Sequence, residues 1–282
     1  MRLSMWSSYL FDLNPEEMVK TFSQRGWSYS ELSEEHALML LERGKTERVG
    51  AEFRTFAEGE GFSFPQGHLW MGVDIAAQEE TDRRFAIDNI KIWCDLFNAI
   101  GITASVLHPG GHRSVDVNVD PVAIREWQVA GLNEIAAHTK GTPLTVCLEN
   151  VRQPNAKKAD DLLRLVEDVT NDSFGICLDT GHHNILSADK DCAKFIHKTG
   201  DKLKALHIAD NLGRNDDHIL PYGKGTVDWE KTMLALKEAG CEALFNFEVS
   251  GENKCPMEIR LIKLDYALQL AKVMAKYSLP LL

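Results

Sequence analysis

Four short apolar segments of the chain each run into a residue that can bind a metal ion or carry a proton. They are "TVCLE", ending at Glu149, "FGICLD", ending at Asp179, "KALH", ending at His207, and "LFNFE", ending at Glu248. Burying a carboxylate at the end of a core strand is costly unless a positive or hydrogen-bonding group meets it. The pattern therefore indicates a shared site in which these side chains have a common partner.

The segments around these residues alternate between strand and helix patterns about eight times. Helical patterns such as "ETDRRFAIDNIKIWCDLFNAIG" end on glycine, a common helix stop. Strands alternating with helices predict parallel βα units, and eight of them predict a closed (β/α)8 TIM barrel, one domain over residues 1–282. A doubly wound open sheet is the competing architecture, but no GxGxxG turn follows the first strand. The candidate strands are "LSMWSSY", "WSYSELS", "FSFPQGHLW", "TASVLHPG", "PLTVCLENV", "FGICLDTGH", "KALHIADN" and "LFNFEVSG".

Side chains along a barrel strand alternate between the interior and the helix layer, and active sites collect where the strands end. Below each polar end, the residues on the same face are mostly small, as a crowded barrel interior requires. The four polar ends are therefore expected to converge on one mouth of the barrel. The predicted inward-facing sets are Thr145, Cys147 and Glu149; Gly175, Cys177 and Asp179; Leu203, Ala205 and His207; and Leu244, Asn246 and Glu248.

Three carboxylates and an imidazole pointed at one another would repel strongly, and at least one carboxylate would have to take up a proton. A divalent cation removes that conflict. One nitrogen and three carboxylate ligands suit Mn²⁺, Mg²⁺, Co²⁺ or Zn²⁺, so the sequence predicts one divalent metal ion as cofactor. Any one of these residues alone would more often be a hydrogen-bonded structural residue, whereas four at successive strand ends favour a metal site.

Composition narrows the class of partner and the compartment. The 282 residues carry a formal net charge of −11, which weakens any proposal that a nucleic acid is the partner. The six cysteines include no CxxC pair and are predicted to be reduced thiols, several of them in the core. No segment has the length of a membrane span, and the first residues lack a signal-peptide pattern, so we expect a cytoplasmic protein without a membrane partner.

The motifs "CLENV", "CLDTGH", "LHIADN", "DDHILPYGKGTVDW" and "FEVSG" resemble those of the sugar phosphate isomerase/epimerase family, the xylose isomerase-like TIM barrels. The resemblance covers essentially the whole chain in order but does not specify a substrate. It implies that Glu149, Asp179, His207 and Glu248 are the metal ligands. It also implies that His182 contacts the substrate.

The same superfamily contains endonucleases of the endonuclease IV type, which hold three zinc ions. By that resemblance the extra ligands would fall on His68, His108, His182, and Asp216 with His218, all of which are present. Similar HPG and DxH motifs recur among the sugar and inosose isomerases. We therefore interpret His68, His108 and His218 as substrate-binding residues or as residues that support the metal ligands. The alternatives are additional metal ligands and structural hydrogen bonding.

A metal ion held by two glutamates suits proton transfer beside a carbonyl through a metal-stabilised enediolate. The resemblance implies that Glu149 and Glu248 are the catalytic acid/base pair, acting on a sugar, keto-sugar or cyclitol as an isomerase or epimerase. Arg214 is a candidate to bind a substrate hydroxyl or carboxylate, with a solvent-facing loop arginine as the alternative. The alternatives are a dehydratase or lyase of a keto-sugar or inosose on the same site and, less favoured, a three-zinc phosphodiesterase. The sequence is compatible with assembly into a homodimer or a homotetramer.

Overall fold

A computed structural model describes residues 1–111, 119–170, 173–249 and 254–277. Eight parallel strands close into a barrel in sequence order, with β8 hydrogen-bonded to β1. The predicted (β/α)8 fold class is confirmed, and each predicted strand segment overlaps one strand. That one domain makes up the whole protein stays a prediction. The strands are β1 (Leu3–Trp6), β2 (Tyr29–Leu32), β3 (Ser63–His68), β4 (Ala104–Leu107), β5 (Thr145–Glu149), β6 (Phe174–Asp179), β7 (Leu203–Ile208) and β8 (Phe245–Phe247).

Helices surround the barrel and contribute the outer wall of the core. They are α1 (Pro15–Gln24), α2 (Glu34–Leu41), α3 (Thr46–Gly59), α4 (Glu80–Ile100), α5 (Pro121–Thr139), α6 (Ala159–Asp168), α7 (Thr180–Leu186), α8 (Cys192–Thr199), α9 (Trp229–Glu238) and α10 (Met257–Tyr277). Two 3₁₀ turns, Ser7–Leu10 and Gly200–Lys202, follow β1 and precede β7.

Local sequence accounts for where several helices begin and end. Asn14 caps α1, its side chain accepting a hydrogen bond from the Glu17 amide at 2.9 Å, while the Glu17 carboxylate accepts from the Asn14 amide. Helix α4 ends at Gly101, whose φ of 89° is left-handed and disfavours a side chain. The predicted helix stop at this glycine is therefore confirmed.

The strand side chains divide into two layers, as the alternation predicts. Val106, Cys147, Cys177 and Ala205 pack together inside the barrel, separately from the main core. The residues between them face outward and join the large cluster formed with the helices, for example Val146, Leu148, Ile176, Leu178, Leu206 and Ile208. This small apolar layer lies on the β4 to β7 side of the barrel interior, below the polar residues at the ends of those strands.

Candidate metal centre and active site

The four predicted ligands converge at the carboxyl ends of β5 to β8. Glu149 and Asp179 are the last residues of β5 and β6, His207 lies opposite Asp179 in the sheet register, and Glu248 directly follows β8. One ligand atom from each residue lies within 4.8 Å of those of the other three. All four side chains are buried, with at most 5% of each residue exposed. The alternation read from the sequence thus predicted this juxtaposition.

His207 stands at the centre of the cluster. Its Nδ1 atom lies 3.2 Å from Glu149 Oε1, 3.2 Å from Glu248 Oε2 and 4.0 Å from Asp179 Oδ2. One nitrogen thus faces oxygen atoms from three carboxylates that belong to three other strand ends. This is a donor set with the chemistry that divalent transition metals prefer.

The cluster contains buried polar atoms that no hydrogen bond satisfies. These are Glu149 Oε2, Asp179 Oδ2 and Glu248 Oε2, together with Nε2 of His68 and Nδ1 of His182. Buried polar atoms are normally hydrogen-bonded, and leaving several carboxylate oxygens without a well-aligned hydrogen bond in one place is costly. A divalent cation would satisfy the oxygens together, so the residues present fit such an ion.

Three more imidazoles surround Glu149. His108 Nε2 lies 3.0 Å and His68 Nε2 3.4 Å from Glu149 Oε2, and His182 Nδ1 lies 3.1 Å from Glu149 Oε1. His68 ends β3, and His108 directly follows β4, so both come from the neighbouring strand ends. The structure therefore brings these sequence-predicted site residues into the same mouth as the four ligands.

A second group of donors lies on the Asp179 side. His182 Nε2 is 2.9 Å from Asp216 Oδ2, and His218 Nε2 is 3.1 Å from Asp216 Oδ1. His218 Nδ1 also lies 2.8 Å from the Glu248 backbone oxygen. The side chains form three overlapping groups able to hold a cation: His68, Glu149 and His207; Asp179, His182 and His218; and Glu149, Asp179, His207 and Glu248.

Neither Arg214, a predicted substrate contact, nor His183, the neighbour of His182, belongs to these three groups. Arg214 is exposed on the loop after β7. His183 is 5% exposed and its ring packs edge-on against Phe195 with centroids 5.3 Å apart, so this histidine is a packing residue. The cysteines predicted to be core thiols include Cys94, Cys147, Cys177 and Cys192, which are buried.

The electrostatics of the cluster follow from burial and from mutual attraction. Burial raises the pKa of the Asp179 carboxyl to about 7. Burial also opposes ionisation of Glu149, but the charges of His207 and His108 outweigh it and hold the pKa of Glu149 well below 4.5. Burial opposes protonation of His207 in turn, yet the carboxylates of Glu248, Glu31 and Glu149 raise its pKa well above 6.5. A cation binding to these donors must displace protons, so its affinity increases with pH.

A tight turn positions His108. Gly110 and Gly111 in "HPGG" have φ angles of 85° and 90°, which disfavour a side chain. The Asp74 carboxylate accepts a hydrogen bond from the Gly111 amide at 2.6 Å, and a Cβ on Gly110 would lie 2.6 Å from the same Asp74 oxygen. Asp74, a residue that the sequence analysis did not identify, therefore holds the turn and the imidazole that begins it.

The loop after β7, which carries Asp216 and His218, is fastened by Asp210. The Asp210 carboxylate accepts from Trp229 Nε1 at 2.7 Å, and its backbone pairs with Ile219 in an antiparallel bridge. A Cβ on Gly225 would lie 1.9 Å from the Asp210 carboxyl carbon, so only glycine fits there. Gly225, the second glycine of "YGKGT", and Asp210, the aspartate of "HIADN", thus allow the loop to fold back over the site.

Glu31 is the principal site residue that the sequence analysis missed. It lies on β2, is 0% exposed, and its Oε1 atom lies 3.0 Å from His207 Nε2. The only signal was a glutamate inside the predicted strand "WSYSELS", on a strand whose end carries no ligand. Strand-end position alone does not identify a residue that supports a ligand from within the barrel.

Comparison with known proteins identifies the family. A family model described as xylose isomerase-like TIM barrel matches residues 22–276. Among curated relatives, an uncharacterized protein, y4fM, of Sinorhizobium fredii is 27% identical over 62% of this chain and 56% of its own length. A probable endonuclease 4 of Metamycoplasma arthritidis is 33% identical over 52% of this chain and 54% of its own. The chain thus spans little more than half the length of these two relatives. A probable endonuclease 4 of Clostridium beijerinckii is 26% identical over 76% of this chain and 81% of its own.

Solved structures with similar folds include several sugar epimerases. D-psicose 3-epimerase superposes with a TM-score of 0.80 at 16% identity, covering 98% of this chain and 99% of that one. L-ribulose 3-epimerase gives 0.80 at 17% identity, covering 98% and 95%. The 3-keto-D-glucoside 4-epimerase YcjR of E. coli gives 0.78 at 17% identity, covering 97% and 99%. At these identities the likeness establishes a shared fold. Within the described part of the chain, every helix is too short or too polar to span a bilayer.

Proposed function

The chain belongs to the xylose isomerase-like TIM barrel family, and from that premise we propose that it is a divalent-metal-dependent sugar or cyclitol isomerase or epimerase. Its substrate is a small sugar, keto-sugar or cyclitol that carries a hydroxyl beside a carbonyl. The metal ligands are Glu149, Asp179, His207 and Glu248. The substrate contacts are His182, His108, His68, His218 and Arg214.

The observation that carries this proposal is the contact of two buried glutamates with one imidazole nitrogen. Glu149 Oε1 and Glu248 Oε2 each lie 3.2 Å from His207 Nδ1, and they come from strands β5 and β8, with β6 and β7 between them. A substrate seated over His207 would thus meet two carboxylates that come from different strand ends. Proton removal from carbon and proton return need two such groups, one as base and one as acid.

The bound cation would supply Lewis acidity to the substrate carbonyl and an adjacent hydroxyl, and so acidify the C–H between them. Glu149 and Glu248 act as the acid/base pair, one carboxylate taking the proton from carbon and the other returning a proton. His182, held by Asp216 at 2.9 Å, orients a substrate oxygen. The apolar inner layer of Cys147, Cys177 and Ala205 limits water below the reacting carbons.

A second candidate, a metal-assisted phosphodiester hydrolase, has one specific observation in its favour. The group of four ligands shares Glu149 and His207 with one neighbouring donor group and Asp179 with the other, which is the arrangement expected of a centre with several metal ions. The relatives named endonuclease 4 support the same candidate. The net charge of −11 does not favour a polyanionic substrate.

Metal content per chain separates the two candidates. We would measure it by elemental mass spectrometry on protein purified without chelators or nickel affinity media. About one Mn, Co, Mg or Zn ion per chain supports the isomerase, whereas about three zinc ions support the hydrolase. The first result leads to proton exchange assays with keto-sugars and inososes in heavy water, and the second leads to assays on abasic DNA.

Glu248→Gln tests the acid/base assignment. The amide keeps the shape of the side chain but cannot take a proton, so turnover should fall by about 10²- to 10⁴-fold while the melting temperature stays near that of the wild type. The measurement is kcat for proton exchange with the substrate found above, at saturating metal. Wild-type turnover in this variant would remove Glu248 from the mechanism.

A further inference from the structure

A buried chain of hydrogen bonds crosses the barrel interior and ends on His207. Ser4 Oγ donates to Asn246 Oδ1 at 2.7 Å, Asn246 Nδ2 donates to Glu31 Oε2, and Glu31 Oε1 lies 3.0 Å from His207 Nε2. All four residues are 0% exposed. They come from β1, β8, β2 and β7, so the chain of bonds exists only because the barrel closes.

The direction of each bond in this chain is determined by chemistry. The Glu31 carboxylate can only accept, so the Asn246 amide must turn its NH₂ group toward Glu31. The opposite amide orientation would set Asn246 Oδ1 against that carboxylate and leave Ser4 without its acceptor. Glu31 Oε1 must likewise accept from His207, which places a proton on His207 Nε2.

In a neutral ring, a proton held on Nε2 leaves the Nδ1 lone pair available to bind a cation. His207 Nδ1 is the atom that faces Glu149 Oε1 and Glu248 Oε2, both at 3.2 Å. A metal-binding imidazole commonly donates its second N–H to a carboxylate, which sets the tautomer and the ring orientation. Glu31 is the carboxylate that accepts from the second N–H of His207.

We propose that Glu31 is a positioning residue that holds His207 with its proton on Nε2 and its Nδ1 lone pair directed at the cation. This inference rests on the proposed function, since it assumes that His207 binds a metal. Outer partners of this kind typically contribute about 10- to 100-fold in metal affinity.

The decisive variant is Glu31→Gln. Its amide offers one acceptor oxygen where two donors, His207 and Asn246, need one each. Either His207 loses its acceptor, or Asn246 turns its oxygen toward position 31 and the Ser4 hydroxyl loses its acceptor; in both cases His207 Nε2 no longer donates to a carboxylate. Zinc affinity should fall by about 10- to 100-fold, measured on the full chain by competition with a chelator at fixed pH. In the histidine ¹⁵N–¹H spectrum of the zinc-loaded protein, the protected Nε2 proton of His207 should weaken or disappear.

Exchanging the carboxylate at position 31 and the amide at position 246 should restore the hydrogen-bond pattern. In the pair Glu31→Gln/Asn246→Asp, the new carboxylate at position 246 accepts from Ser4 and from the new amide, whose oxygen again accepts from His207. The pair should bind zinc more tightly than either single substitution and should recover the Nε2 proton signal. Glu35→Gln is the matched control, because Glu35 is a half-buried glutamate of α2 whose Oε1 accepts from Ser8 Oγ at 2.8 Å.

The outcomes separate the possible failures. Zinc binding by Glu31→Gln within about twofold of the wild type, or a pair that binds no better than both singles, would overturn the role of Glu31. If Glu31→Gln does not fold, the comparison of the pair with Asn246→Asp alone decides the question. A wild-type protein that binds no divalent ion defeats the proposed function and this inference together. Equal binding by wild type and Glu31→Gln defeats this inference alone.

Discussion

Two histidines, His36 and His207, are both 0% exposed but sit in opposite electrostatic surroundings. His36 lies among neutral acceptors and donors: Nδ1 is 3.1 Å from Ser33 Oγ and 3.0 Å from Ser7 Oγ, and Nε2 is 3.2 Å from the Leu13 backbone oxygen. Burial lowers the pKa of His36 to about 4. His207 lies among carboxylates, which raise its pKa well above 6.5 despite burial.

The comparison shows that burial of an imidazole does not by itself indicate function. A ring satisfied by hydroxyls and a carbonyl stays neutral and acts as a polar core residue. A ring surrounded by acidic oxygens holds a positive charge, and a metal ion can take the place of that charge. The partners of the ring therefore distinguish a structural histidine from a candidate ligand.

The largest test of this contrast compares His207→Asn with His36→Asn. Removing a residue that hydrogen-bonds to a metal ligand costs about 10- to 100-fold in metal affinity. Removing the ligand itself, as in His207→Asn, should therefore lower metal affinity by more than about 100-fold. His36→Asn should leave the metal dissociation constant unchanged, because its contacts lie away from the donor cluster. The measurement is zinc competition with a chelator. Similar affinity losses in both variants would show that general destabilisation, not ligation, is responsible.

A smaller test uses the pH dependence of stability. His36 binds a proton with a pKa of about 4 in the folded protein but about 6.5 when unfolded, so the unfolded state gains protons first as the pH falls. The neutral His36 ring therefore contributes its full share to the free energy of unfolding above about pH 6.5, and this contribution declines below that pH. Between pH 7.5 and pH 5 the free energy of unfolding should fall by about 2 kcal/mol because of His36.

The matched variant for this test is His36→Gln, which keeps a polar side chain but does not titrate. The difference in unfolding free energy between wild type and His36→Gln should shrink by about 2 kcal/mol over that range in urea titrations. A difference that stays constant with pH would mean that His36 is not held neutral in the folded protein.

The smallest expected effect belongs to His218→Ala. His218 is partly exposed, with 20% of its side chain accessible, and lies beside Asp216 rather than among the four central ligands. As a substrate contact, its loss should raise KM by about tenfold and leave the metal content per chain unchanged, the value expected for one lost hydrogen bond. Loss of a whole metal equivalent would instead favour the hydrolase candidate.

Much of the fold was readable from sequence because strand and helix periodicities are local. Each predicted strand segment overlaps one strand, and the placement of Cys147, Cys177 and Ala205 inside the barrel follows from simple alternation. The strand ends at Glu149 and Asp179 were also predictable, since each closes an apolar run. The roles of these residues in binding and catalysis stay predictions.

Other features depended on contacts between distant parts of the chain. Asp74 accepts a hydrogen bond from the Gly111 amide across two loops, and Asp210 accepts one from Trp229 Nε1 in a space that only a glycine at position 225 leaves free. No local pattern distinguishes these aspartates from ordinary loop acids. Their roles become visible only when their hydrogen-bond partners are known.

The sequence by itself determined the barrel, the mouth and the set of donor types, because apolar periodicity and residue chemistry are properties of neighbouring positions. Only the tertiary structure decided which nitrogen of His207 faces Glu149 and Glu248. That choice depends on Glu31 and Asn246, which lie on β2 and β8 and are brought together across β1 when the barrel closes. Hydrogen-bond direction across a closed sheet depends on register, and register is a property of the whole barrel.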